Sequence, residues 1–229
     1  MGTNRFMETG ERLRTRFDLL IDRYGRLWYW QKETREWLCD HDMYWFSRQV
    51  QDYAQSQEWA GRWSPAFDTA VWKYLAPRLD RPWEEAPSDR VHLINGLLDL
   101  RGGQKVLVDA SPNFKFVNKL PVIYDPRAQP TEWERFFAYS MTPEVLDVLW
   151  EVLAWLTFSL KDVNAIVCLH GEAGSGKSRV LNAIRAFIGE ENLLVVSKNN
   201  LEGNRFMKQH ISYKLCVMYD DLPAAQGSD

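Results

Sequence analysis

Eight consecutive residues, Gly171-Glu172-Ala173-Gly174-Ser175-Gly176-Lys177-Ser178, carry the spacing of a phosphate-binding P-loop: a glycine, four residues, then Gly-Lys-Ser. Glycines let the backbone wrap closely round a phosphate and turn several N–H groups inward. A helix that starts near Lys177 adds the positive end of its dipole. Lys177 brings a full charge to the β and γ phosphates, and the Ser178 hydroxyl is placed to ligate magnesium. With Arg179, the first residue past the motif, residues 171–179 form the expected nucleotide-binding set.

A second element is needed for hydrolysis. The run Leu215-Cys216-Val217-Met218-Tyr219 is apolar and ends in two carboxylates, Asp220 and Asp221. A buried strand that delivers acids at its C-terminal end, where open α/β sheets bind ligands, reads as a Walker B strand. In that role Asp220 holds magnesium, directly or through water, and Asp221 orients or deprotonates the attacking water. Asp-Asp-Leu-Pro is also good turn chemistry, so an aspartate-capped turn is the plainer alternative. The expected catalytic residues are then Lys177, Asp220 and Asp221, the metal ligands Ser178 and Asp220, and the cofactors ATP and Mg2+.

These residues need a frame. Ala165-Ile166-Val167-Cys168-Leu169 reads as a buried parallel strand leading into the loop. Beyond the loop, apolar residues at 180, 181, 184, 187 and 188 recur at helical spacing. Strand, glycine loop, helix is the context a P-loop requires. Leu193-Leu194-Val195-Val196 supplies one more apolar strand before the acidic one.

Upstream, residues 1–24 read as a charged helix. Residues 27–30 and 36–39 flank a polar turn and read as a hairpin. Helices are expected over about 42–60, with Met43, Phe46, Val50 and Tyr53 on one side, and over 65–79, with Pro65 in its first turn. Residues 81–87 are a breaker-rich link. Asn95-Gly96 and Gly102-Gly103 mark turns in a small antiparallel β unit spanning 91–108. Thr131 with Glu134 suggests a capping box, and Thr142-Pro143 suggests the start of a long buried helix.

Composition narrows the class. Lys and Arg number 28 against 31 Asp and Glu, so no global basic character points to nucleic acid. Cysteines at 39, 168 and 216 are scattered, and the latter two sit in apolar runs as small buried hydrophobes rather than a disulfide set. Histidines at 41, 92, 170 and 210 form no metal-ligand cluster. The apolar stretch 145–160 contains Asp147 and Glu151 and is too short to span a bilayer, and residues 1–18 are charged, so no membrane association and a cytoplasmic location are expected. Most of the eleven tryptophans precede residue 85. They read as a small aromatic core with snorkelling arginines ahead of a base-stacking surface.

The order of motifs resembles a family. Asn95-Gly96-Leu97-Leu98-Asp99-Leu100, then Leu120-Pro121, then Tyr124-Asp125-Pro126-Arg127-Ala128, then Trp133 before a helix pair, then the P-loop, is similar to the superfamily 3 helicases of phage, plasmid and poxvirus primase-helicases. The segment 206–214 before the acidic strand adds to the likeness, which covers about residues 20–223. The resemblance implies an ATP-driven DNA helicase or replication initiator that assembles as a hexameric ring on DNA, single-stranded DNA in particular. It implies an α/β chain: an α+β accessory region over 1–130, a helical collar over 131–160, and a partial P-loop NTPase domain (AAA+-like parallel sheet) over 161–229.

Three departures from the family pattern shape the expectation. The family's sensor asparagine, arginine finger and DNA-contacting hairpin are expected beyond Asp229, and no primase active site is visible upstream. The second Walker B acid is Asp, where ring ATPases commonly have Glu. Three candidate strands stand where a P-loop sheet needs about five. The chain is therefore expected to be a truncated NTPase with weak turnover or none by itself. A truncated, non-catalytic binding or regulatory module that works through its N-terminal region is the alternative. A small-molecule kinase fits poorly, because the loop lies late in the chain.

Overall fold

The computed structural model describes residues 5–22, 24–57, 61, 63–79, 89–115, 117–139, 141–158, 165–172, 174–196, 211 and 213–219. The chain is mixed α/β, with six α-helices and eight short strands among these residues. It divides into two compact units, Met1–Glu84 with Ser111–Val117, and Glu85–Ala110 with Asn118–Asp229.

In the first unit, helix α1 (Arg5–Arg16) precedes strands β1 (Leu19–Ile21), β2 (Leu27–Gln31) and β3 (Glu36–Asp40), an antiparallel sheet in that order. The expected helix over 1–24 thus stops at Arg16. Leu19, Leu20 and Ile21 pair instead with Tyr29, Trp28 and Leu27, because sheet pairing buries three consecutive apolar residues that a helix would spread round its circumference. The expected hairpin is present, with Trp30 opposite Trp37.

One sheet face, with Leu19 and Leu27, packs on Phe46 and Val50 of α2 (Tyr44–Gln55) and on Val71 and Leu75 of α3 (Pro65–Leu75). Each such burial stabilises by about 2 kcal/mol. The other face carries Leu20, Trp28, Trp30 and Trp37, all buried. There the Trp37 indole N–H donates to the Phe114 carbonyl at 3.3 Å, within the same unit. These tryptophans form core.

Local chemistry starts the helices. The Asp40 carboxylate accepts from the N–H groups of Trp45 (3.1 Å) and Phe46 (2.8 Å) at the start of α2. Pro65 opens α3 as anticipated, and Ser64 before it accepts from Phe67 N–H. That helix ends at Leu75 rather than 79 and passes into a 3-10 turn, Ala76–Arg78, which contains Pro77.

The second unit begins with β4 (Arg90–Leu93), β5 (Gly96–Asp99) and β6 (Val106–Val108), the anticipated antiparallel unit. Leu93 pairs with Gly96, so the turn residues are Ile94 and Asn95, one position earlier than the Asn-Gly pair suggested. Gly96 is needed for a different reason: a Cβ there would lie 2.6 Å from the Val108 carbonyl oxygen of β6. The freed Asn95 side chain clasps the Tyr124 backbone, donating to its carbonyl at 2.9 Å and accepting from its N–H at 3.0 Å.

Helices α4 (Thr131–Ala138), α5 (Pro143–Leu156) and α6 (Lys177–Ile188) and strands β7 (Leu193–Val196) and β8 (Cys216–Tyr219) complete this unit. Phe137, Leu149, Leu153, Val180, Ile184, Ile188 and Met218 share its core with Val91, Leu93 and Leu120. Three local expectations need correction. The residue preceding α4 is Pro130, which makes no side-chain cap, so Thr131 and Glu134 form no capping box; the Glu134 N–H donates to the Pro130 carbonyl instead. Helix α5 starts at Thr142-Pro143 as expected but buries one face only, leaving Val145 and Val148 exposed.

The third correction concerns the sheet. β7 and β8 pair in parallel, Leu193 opposite Cys216 through Val196 opposite Tyr219. Residues 165–169 are not a strand and pair with neither. Ile166 is 93% and Val167 50% exposed, and Cys168 is exposed rather than buried. An apolar run is buried as a strand only where neighbours hydrogen-bond its edges and cover its faces, and no such neighbour exists among the described residues. No helix among the described residues is long and apolar enough to cross a membrane.

Candidate nucleotide-binding site

The loop at 171–178 closes onto the start of α6. Gly174 (φ 81°) and Gly176 (φ 92°) both take left-handed conformations, which a side chain would strain. Gly176 is the residue before the helix; its carbonyl accepts from the N–H groups of Arg179 (2.9 Å) and Val180 (3.1 Å), and no side chain caps the helix. The first-turn N–H groups therefore face the loop without a capping oxygen, which suits an anion. Ser175 N–H donates to the Glu172 carbonyl at 3.2 Å and tightens the turn.

The Lys177 ammonium lies inside this turn. It donates to the carbonyls of Gly171 (2.8 Å) and Glu172 (2.7 Å) and sits 3.3 Å from the Ser175 hydroxyl. A compact charge held by neutral acceptors rather than by a carboxylate is free to exchange them for phosphate oxygens. The loop is rigidly backed, because Val180, Ile184 and Ile188 on one side of α6 are all buried. Ser178 and Arg179 are exposed at the first turn.

The structure brings together Gly171, Glu172, Gly174, Ser175, Gly176, Lys177, Ser178 and Arg179. Ala173, Asp220 and Asp221 lie outside the described residues. Strand β8 runs to Tyr219, one residue short of the first acid, and is tied to α6 where an Arg185 Nη2 lies 3.9 Å from the Met218 sulfur. No group of three His, Cys, Asp or Glu among the described residues is placed to hold a metal ion.

Two arrangements near the site escaped sequence reasoning. The guanidinium carbon of Arg179 lies 5.7 Å from the centre of the Phe136 ring on α4. Nothing in the spacing of two residues over forty positions apart signals that contact. Second, buried Asn192, just before β7, donates to the carbonyls of Lys119 (2.8 Å) and Ile188 (2.9 Å) and accepts from Asn118 (3.0 Å), which also donates to the Tyr213 carbonyl (2.7 Å). An Asn between two helix-ending glutamates and an apolar strand reads as a turn residue, so only the fold reveals its role in fastening the end of α6 to the approach to β8.

A shallow open concavity of about 580 Å3 lies elsewhere, lined by Asp99, Arg101, Gly102, Gln104, Val106 and Val108. Its carboxylate is already engaged: hydrogen bonds from the Arg101 side chain, then from the Arg101 backbone N–H, hold Asp99 down at about 2, with Arg90 adding charge. The glycine loop is the better candidate because an uncapped helix start, two left-handed glycines and the Lys177 ammonium lie together there. No protein-family model matches this chain, and no curated protein matches it.

Proposed function

We propose that residues 171–179 bind ATP with Mg2+, and that the chain is the nucleotide-binding part of a superfamily 3 type DNA helicase or replication initiator. One observation carries the nucleotide reading: an uncapped helix start and two left-handed glycines surround an ammonium whose partners are carbonyls and a hydroxyl. Lys177 exchanges those acceptors for the β and γ phosphate oxygens. The loop N–H groups hold the phosphate chain in one orientation. Ser178, exposed in the first turn, and Asp220 would hold magnesium, which neutralises charge on the phosphates when bound. Asp221 would orient the attacking water.

The helicase reading, the partial parallel NTPase sheet, the single-stranded DNA partner and the hexameric ring rest on the order of motifs. The alternative, a non-catalytic binding or regulatory module, is favoured by residues 165–169 pairing with no strand among the described residues, since a working P-loop usually leaves a sheet strand. Equilibrium binding of ATP with Mg2+ to the full chain, wild type against Lys177→Ala, tests the proposal. Saturable binding that falls at least about tenfold in the variant supports it. Equal binding by both proteins, or none by either, overturns it. Mass measurement with single-stranded DNA in the same sample separates ring from monomer.

A further inference from the structure

The contact between Arg179 and Phe136 suggests what lies beyond the phosphates. Arg179 is one residue past Ser178, so its side chain leaves the helix beside the anion-binding turn. It is exposed, and no carboxylate forms an ion pair with it among the described residues. Its guanidinium instead lies over the Phe136 ring. That ring is half-buried and fixed from behind: it meets Phe137 edge-on at 5.0 Å between centroids and 67° between planes, and Phe137 is fully buried. A rigid ring and a planar cation thus stand together next to the loop.

We propose that Phe136 and Arg179 form the shelf on which the base of a bound purine nucleotide stacks. The inference rests on the nucleotide-binding reading and adds to it the residues that hold the base. In a nucleotide the base projects past the sugar, away from the phosphates, within reach of an arginine rooted at the third position of α6. Purines offer a wide π-face and stack well on both aromatic rings and guanidinium planes. The shelf therefore favours a purine nucleoside triphosphate over a pyrimidine one, and over bare polyphosphate.

The test is equilibrium binding to the full chain with Mg2+, using ATP, CTP and inorganic tripolyphosphate as probes. Phe136→Leu keeps apolar volume and removes the ring; Arg179→Lys keeps the charge and removes the plane. Wild type is expected to bind ATP more tightly than CTP or tripolyphosphate. Each variant is expected to weaken ATP about tenfold and leave tripolyphosphate within about twofold. Equal loss for ATP and tripolyphosphate, or no loss for either, overturns the shelf. If Phe136→Leu lowers the melting temperature, exposed Arg179→Lys alone decides. A wild type that binds tripolyphosphate as well as ATP overturns the shelf alone. One that binds neither overturns the nucleotide reading with it.

Discussion

At the residue scale, buried Asp22 gathers four hydrogen bonds in the first unit. It accepts from the N–H groups of Tyr24 (2.8 Å) and Arg26 (2.9 Å), from Arg26 Nε (2.7 Å) and from the Trp28 indole (3.1 Å). Burial pushes its pKa up, but the bonds from Arg26 and Trp28 outweigh that and leave it below the usual aspartate value. A depressed folded pKa gives stability that is present above the ordinary value, about 4, and is lost as pH falls through the folded value. Asp22→Ala should lower unfolding free energy by about 3 kcal/mol at pH 7, with a smaller loss below about pH 4, as read by urea titration. A penalty that stays constant down to pH 2 would count against this account. The cysteines give a second residue-scale outcome. Burial pushes the Cys39 thiol up to about 12, whereas Cys168 is exposed. Iodoacetamide should label Cys168 at least about tenfold faster than Cys39. Protection of Cys168 would mean that residues 165–169 are paired as a strand after all.

At the element scale, the helix that carries Lys177 is fastened at its far end. Asn192 bonds to the Ile188 and Lys119 carbonyls and to Asn118, and its own carbonyl accepts from Leu215 N–H at 2.8 Å. These bonds tie the end of α6 to the 118–120 segment and to the approach to β8. Asn192→Ala removes the bonds to the Ile188 and Lys119 carbonyls and the one accepted from Asn118. We expect a loss of about 2 kcal/mol in unfolding free energy, measured by urea denaturation. A loss below about 0.5 kcal/mol would show that the cluster does not fasten the helix.

At the scale of the whole molecule, chain order and packing diverge. Residues Ser111–Val117 belong to the first unit although both their chain neighbours belong to the second. The bond from the Trp37 indole to the Phe114 carbonyl, beside the buried tryptophan face, holds the segment there. Hydrogen exchange should reveal the assignment. Asp22→Ala should speed exchange of amides in 19–40 and in 111–117 together, and leave 177–188 unchanged. Exchange of 111–117 that follows the α6 helix instead would overturn the assignment.

Local patterns alone determined a good part of this protein. The glycine loop, the helix after it with Val180, Ile184 and Ile188 inward, the 27–40 hairpin, the β unit around 91–108 and the starts of α3 and α5 each depend on residues within a turn or two of one another. Periodicity and turn chemistry report directly on such short-range structure. What only the tertiary structure decided depends on distant partners. Leu19 to Ile21 became a strand because β2 was there to pair with it, and residues 165–169 remained unpaired because no described strand lies beside them. Asn95 meets Tyr124, Asn118 meets Asn192, and Arg179 meets Phe136 across 29, 74 and 43 positions of sequence. Hydrogen bonds and ring contacts act over a few ångströms of space, and no periodicity along the chain encodes which distant residues will come that close.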